Sequence, residues 1–126
     1  MVDQYLMDTN PIIDFFNGKL SENGKNFFAS IEPAISVITQ IELLSNKNIP
    51  QIEWNQLQDF IKIAVIYGLE STIVEQTIIL RQNHKLKTPD AIIAATALAL
   101  NITLISRNLT DFKTITGLAV IDPHTL

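Results

Sequence analysis

Cysteine is absent from this chain of 126 residues, and histidine occurs only at His84 and His124. The first absence excludes disulfides, a thiolate nucleophile and cysteine zinc sites. The second leaves no histidine-rich metal site, so any metal must be held by oxygen. Charged residues are scarce, at 17% against 47% hydrophobic, which excludes a disordered chain. Long apolar runs are missing too: the longest nearly unbroken one, Ala91 to Leu100, is too short to cross a bilayer, so no membrane partner is expected. Basic charge in bulk is lacking, since 9 Lys and Arg face 13 Asp and Glu for a net charge of -4. Such a chain does not coat nucleic acid by charge alone, but an enzyme whose acids are consumed by metal ions is allowed. The start Met1-Val2-Asp3, with no cation before Lys19, lacks the pattern of a Sec-type leader, so none is expected and the cytoplasm is the expected location. Repeats, low-complexity tracts and Pro/Gly-rich linkers do not occur, which predicts one domain over residues 1–126.

What is present is an alternation of short β-rich runs with longer amphipathic stretches, the pattern of βα units around a parallel sheet. Strands are expected at Tyr5 to Met7, Ala34 to Ser36, Ile63 to Tyr67, Thr103 to Ile105 and Ala119 to Ile121. Pro11 suits the first residue of a helix ended by Gly18, and a second helix covers Glu22 to Ala29. Ser36 is the expected N-cap of a helix from Val37 to Leu44. After Pro50, Ile52, Trp54, Leu57, Phe60 and Ile61 recur at helical spacing. A helix from Ser71 to Asn83 has Ile73, Val74, Thr77, Ile78 and Arg81 as its expected buried face. Thr88-Pro89-Asp90 opens a helix that is apolar nearly all round and therefore central, with Thr88 as expected cap, and Asp111 to Ile115 forms a short helix.

In an open parallel sheet, ligands bind outside the carboxyl ends of the strands. Asp8 follows the first strand, Glu42 lies on the helix after the second, and Asp90 and Asp111 begin helices on either side of the fourth. Each acid has an ordinary reading. Asp8 can form an Asx-turn or cap a helix, and Asp90 and Asp111 fall in first turns, where a helix dipole favours an acid by about 0.3–1 kcal/mol. Glu42 is expected on the apolar side of its helix between Ile41 and Leu43, where a carboxylate needs a partner and no basic residue is near in sequence. Four acids gathered at one edge would repel one another unless a cation used them. An all-oxygen cluster suits Mg²⁺ or Mn²⁺, and the natural chemistry of such a site is phosphoryl, with the ion polarising phosphate and activating water.

Across essentially its whole length the chain resembles the PIN-domain ribonucleases, and within them the toxins of VapBC-type toxin-antitoxin pairs. Four segments carry the resemblance in order: Leu6-Met7-Asp8-Thr9-Asn10 with the Pro-Ile-Ile-Asp that follows, Ser36 to Leu43 with Thr39 and Glu42, Asp90 to Ala97, and Leu104 to Phe112 with Ser106, Arg107, Asn108 and Asp111. The resemblance implies an α/β fold, a three-layer doubly wound parallel sheet of order 3-2-1-4-5 flanked by helices. It further implies a divalent-metal site (Mg²⁺ or Mn²⁺) and catalytic centre made by Asp8, Glu42, Asp90 and Asp111, and endonucleolytic RNA cleavage leaving a 5′-phosphate and a 3′-hydroxyl. In it Asp8 and Asp90 are direct ligands, Glu42 binds directly or through water, and Asp111 varies in its involvement. Thr9, Asn10, Thr39, Ser106 and Asn108 would orient carboxylates or contact the scissile phosphate. Ser106 stands where many relatives have threonine. An RNA substrate, a cognate antitoxin protein and a homodimer are the implied partners.

Arg81, His84, Lys85 and Lys87 crowd the segment before Asp90, and with Arg107 they either hold RNA phosphates or, more simply, cap a helix C-terminus and stay solvated. The apolar faces with Phe15, Phe16, Phe27, Phe28 and Trp54 are expected to be mostly core. Two rival readings stay open. A Mg²⁺-binding receiver or phosphatase-like α/β domain would want an aspartate where Tyr67-Gly68 stands, or a second aspartate where Asn10 stands. A non-catalytic PIN-like scaffold that binds RNA or protein usually loses acids that this chain keeps.

Overall fold

The computed structural model describes residues 4–126 and contains five short strands and seven α-helices among them. Met1 to Asp3, on which the reading of a leaderless start rests, lie outside the described residues. In chain order the elements are β1 (Tyr5–Met7), α1 (Thr9–Phe16), α2 (Glu22–Ser30), β2 (Ala34–Ser36), α3 (Val37–Leu44), α4 (Gln51–Ile63), β3 (Val65–Tyr67), α5 (Ser71–Asn83), α6 (Thr88–Leu100), β4 (Thr103–Ile105), α7 (Leu109–Phe112) and β5 (Val120–Ile121), followed by a 3₁₀ turn over Pro123–Thr125. No described helix is long and apolar enough to cross a membrane.

All strand pairs are parallel: β1 with β4, β4 with β5, and β2 with β3. The two ladders abut with β2 beside β1, so the strands run β3-β2-β1-β4-β5 as expected, although no ladder joins β2 to β1 among the described residues. Because side chains alternate across a strand, each central strand serves two cores. Leu6 and Leu104 pack with α5, α6 and Phe112 on one face, while Met7 and Ile105 pack with Ile12, Phe28, Leu43 and α4 on the other. This is the three-layer α/β/α arrangement. In α6 the whole stretch Ala91–Ala97 is buried, as an all-apolar helix requires, and Asn101 closes it in the left-handed conformation at φ 54°.

Several boundaries and faces differ from the expectation for local reasons. Asp8 takes the N-cap of α1 by accepting from the Thr9 amide, so the helix starts two residues before Pro11. Thr88 is the first residue of α6 and does not cap it; Lys87 occupies the cap position without a side-chain bond. Asn108 accepts from the Asp111 amide and so starts α7 at Leu109. Ile63 belongs to the end of α4, and β3 and β5 each lose residues to their flanks. Helix α5 carries apolar residues nearly all round, so periodicity could not choose its face. Packing against α6 buries Ile73, Thr77 and Leu80 and leaves Val74, Ile78 and Arg81 outside. Ile52 is likewise exposed, and of the aromatic group only Phe28 is fully buried.

Candidate active site

Parallel pairing decides where the acids fall. Met7 is in register with Ile105, so the residues that follow them, Asp8 and Ser106, emerge side by side at the carboxyl end of the sheet. The Asp8 amide donates to the Ile105 carbonyl at 2.9 Å, continuing the ladder by one step. The Asp8 carboxylate is buried and held at both oxygens, Oδ1 accepting from the Thr9 amide and Oδ2 from the Ser106 hydroxyl, each at 2.8 Å. Ser106 Oγ also accepts from the Asn108 amide, which draws the next loop over the site.

Ser36 at the end of β2 caps α3 through the Ile38 amide, and this sets the phase that brings Thr39 and Glu42, three residues apart, to α1. The Thr9 hydroxyl donates to Glu42 Oε1 at 2.6 Å and lies 3.4 Å from the fully buried Thr39 hydroxyl. Glu42 itself is exposed, which corrects the expectation that it sits on the apolar side of its helix; the helix turns its apolar residues Leu43 and Ile38 inward. Asp90 is half-buried in the first turn of α6. Asp111 is exposed and engaged by Asn108, whose amide group donates to Asp111 Oδ2 at 3.1 Å.

One pocket of about 440 Å³ is lined by Asp8, Thr9, Asn10, Glu42, Asp90, Arg107 and Asn108. That is many times the roughly 30 Å³ share of one water, so the space holds far more than a single solvent molecule. Asp111 stands outside the lining, close enough to repel Asp90. Of the cations named from sequence, Arg107 alone reaches the pocket lining. Arg81 folds back to the Leu86 carbonyl at 3.2 Å, Lys87 stays near enough to Asp90 to attract it, and His84 and Lys85 remain on the connecting segment.

Burial, first, pushes the Asp8 carboxyl above the ordinary carboxylate value of 3.8; the Thr9 and Ser106 hydrogen bonds oppose the shift, and Asp90 and Glu42 add to it. Asp90 is also raised, by burial and then by Glu42 and Asp111, with Lys87 opposing. The folded state therefore binds protons from these two groups at a pH where the unfolded chain does not, and their contribution to stability falls as pH rises from 3.8 through the raised values. In EDTA at neutral pH, Asp90→Asn is expected to melt higher than wild type. The difference should shrink toward zero as the buffer approaches pH 3.8, where the wild-type carboxyl is protonated. An Asp90 that only served the dipole of α6 would give the opposite sign in paired thermal melts, because Asn would lose that contribution.

The donor set is all oxygen and crowded with negative charge. Among the described residues no three acidic or histidine side chains are already gathered into one ligand set. Asp8, Glu42 and Asp90 nevertheless line one pocket, and Mg²⁺, which keeps several waters, needs only one or two carboxylates. The residues present fit such an ion.

The PIN domain profile matches residues 5–118. The chain belongs to the PIN-domain family. A chain of a toxin-antitoxin complex from Klebsiella pneumoniae is similar to this PIN domain at 36% identity over 95% of this chain and 98% of that one, with a TM-score of 0.75. FitAcB from Neisseria gonorrhoeae (21% identity, 98% and 100% covered, TM-score 0.81) and DNA-bound VapBC from Salmonella typhimurium (22%, 97% and 99%, 0.78) share the fold. No curated protein matches the chain.

One charged group of this PIN domain has no motif that announces it in the sequence. Asp14, on α1 below the pocket, is buried and accepts from Arg107 Nη1 at 3.0 Å and lies 2.7 Å from His124 Nε2. Its signal in the sequence is a lone acid one turn after Asn10, set among the apolar residues Ile12, Ile13, Phe15 and Phe16.

Proposed function

We propose that the protein is a divalent-metal-dependent endoribonuclease built on a single PIN domain, acting as the toxin of a toxin-antitoxin pair. The observation that carries this reading is the pocket in which Asp8, Glu42 and Asp90 share one cavity with Asn10, Arg107 and Asn108. Asp8 and Asp90 would hold Mg²⁺ or Mn²⁺ directly, Glu42 directly or through water, with Asp111 as an outlying acid. When bound, such an ion polarises the scissile phosphate, activates the attacking water and offsets developing charge. The chain's own groups orient the acids: Thr9 and Ser106 hold Asp8, the Thr9 hydroxyl holds Glu42, and Asn108 holds Asp111. Asn10 and Arg107 face the space left for the phosphodiester. A non-catalytic scaffold has no use for this concentration of uncompensated carboxylates, which costs stability.

The toxin reading is supported by the similarity to a chain of a toxin-antitoxin complex at 36% identity. A groove of about 560 Å³, lined by Met7, Phe15, Phe16, Phe28, Phe60 and Ile63 among others, suits an apolar segment of a cognate antitoxin. The rings around it stack and meet edge-on, Phe15 on Phe28 at 4.7 Å and Phe16 on Phe60 at 5.8 Å, so its walls are preformed. A homodimer is the oligomeric state the resemblance implies.

Purified protein incubated with structured RNAs and Mg²⁺ or Mn²⁺ is expected to yield internal cleavage products with 5′-phosphate and 3′-hydroxyl ends, and none in EDTA. In parallel melts, Mg²⁺ at ten times its dissociation constant should stabilise by about 1.4 kcal/mol, roughly 5 °C for a chain of this size. Cleavage that survives chelation, or ends carrying a 2′,3′-cyclic phosphate, would overturn the reading.

A further inference from the structure

A charged group built from Asp14, Asp122 and His124 joins the acidic pocket through Arg107, which lines it. One oxygen, Asp14 Oδ2, is shared by Arg107 Nη1 at 3.0 Å and His124 Nε2 at 2.7 Å. The other ring nitrogen of His124 lies 2.7 Å from Asp122 Oδ1, which also accepts from the His124 backbone amide at 2.9 Å. Both ring nitrogens of His124 therefore face carboxylate oxygens, and the ring is held between Asp14 and Asp122. Asp14 is thereby fixed from behind, by the 3₁₀ turn, and from in front by Arg107.

The two ends differ in exposure. The Asp14 side chain is 8% exposed, whereas that of Arg107 is 52% exposed and lines the acidic pocket. A guanidinium has five N–H donors in a planar fork, and only one is engaged with Asp14. Released from Asp14, it would be drawn onto the Asp8, Glu42 and Asp90 carboxylates, which lie in the same cavity and have excess negative charge. There it would turn its donors inward and compete for the place of a divalent ion.

We propose that Asp14, braced by His124 and Asp122, is a positioning residue that holds the Arg107 guanidinium at the rim of the acidic pocket as a contact for an RNA phosphate. The proposal rests on the reading of the pocket as an RNA site and adds to it the group that aims the phosphate contact. A brace serving only the fold would need Asp14, His124 and Asp122, but would not need its cationic partner to face the pocket.

The test is fluorescence anisotropy of a labelled structured RNA in EDTA, over a series of salt concentrations, with Arg107→Ala, Asp14→Asn, the double variant and His124→Gln. Arg107→Ala is expected to weaken binding about tenfold, the size of one charge-assisted hydrogen bond. Its plot of log affinity against log salt should be shallower by about one, as for one lost phosphate contact. Asp14→Asn should weaken binding in the same direction with the same shallower slope, and the double variant should bind no worse than Arg107→Ala alone. His124→Gln, which leaves both partners in place but loosens them, should fall between wild type and Asp14→Asn; it decides the matter if Asp14→Asn does not fold in a thermal melt. The proposal is overturned if the wild type has no RNA affinity that Arg107→Ala reduces, if Asp14→Asn and His124→Gln bind as wild type, or if the Asp14 and Arg107 losses multiply. Cleavage assayed with Mg²⁺ on the same proteins separates the two levels. Binding that follows the expected pattern without cleavage would overturn the nuclease reading and leave the positioning role standing.

Discussion

Asp8→Asn and Asp90→Asn are each expected to reduce RNA cleavage at least about 100-fold while leaving a cooperative thermal transition. Groups that merely support metal ligands are worth 10–100-fold, so a direct ligand lies at or above the top of that range. The fold tolerates both changes. Asn at position 8 keeps an oxygen for the Thr9 amide or the Ser106 hydroxyl, and at either position the neutral amide removes a carboxylate raised by burial and like charge. Activity and folding therefore move independently, which is the signature of a site that costs stability. Expressed alone in a bacterial host, the wild-type chain should slow growth and Asp8→Asn should not. Growth inhibition that persists in Asp8→Asn would mean the effect comes from sequestration or aggregation. A near-wild-type cleavage rate in either variant would remove that acid from the site.

Gly24→Ala is expected to lower stability by about 1–2 kcal/mol, a fall of roughly 4–8 °C in midpoint. Gly24 lies buried in the first turn of α2, where an added Cβ would stand 1.9 Å from the Pro123 carbonyl oxygen and 2.9 Å from its carbon. The obstacle is backbone, so no side-chain rotation relieves it and the 3₁₀ turn must move. Against this, Ala gains up to about 1 kcal/mol over Gly in helix propensity, which is why the net loss is smaller than the overlap alone suggests. The same turn carries His124 and is tied to α2 by the Ser21 hydroxyl, which donates to the Leu126 carbonyl at 3.1 Å. Differential scanning calorimetry of the variant measures the loss. An unchanged or higher midpoint would show that the turn yields freely and is a poor brace for Asp14.

Period and punctuation carried most of the fold in the sequence itself. Strands β1, β2 and β4 and helices α3 and α5 lie where short apolar β-rich runs, Ser36 and the Ser71–Asn83 stretch predict them, because local propensity and burial agree there. The sequence places Asp8, Asp90 and Asp111 where elements end or begin and Glu42 on the helix after β2, positions that a parallel α/β sheet brings toward one edge; Asp8, Glu42 and Asp90 line one pocket there, and Asp111 stands outside its lining. Tertiary structure decided what one-dimensional pattern leaves degenerate. Helix α5 is apolar on too many sides for periodicity to choose, and contact with α6 selects Ile73, Thr77 and Leu80. Which side chain takes an orphan helix amide was settled by competition among neighbours, won by Asp8 over the Pro11 start and by Asn108 over the expected start at Asp111. Glu42 is exposed and bonded to a hydroxyl thirty-three residues away, and Asp14 meets Arg107 and His124 across separations of 93 and 110 residues. Partnerships of that length leave no periodic trace, since they depend on how whole layers dock; the sequence determined which charges exist and the packed layers determined which of them face one another.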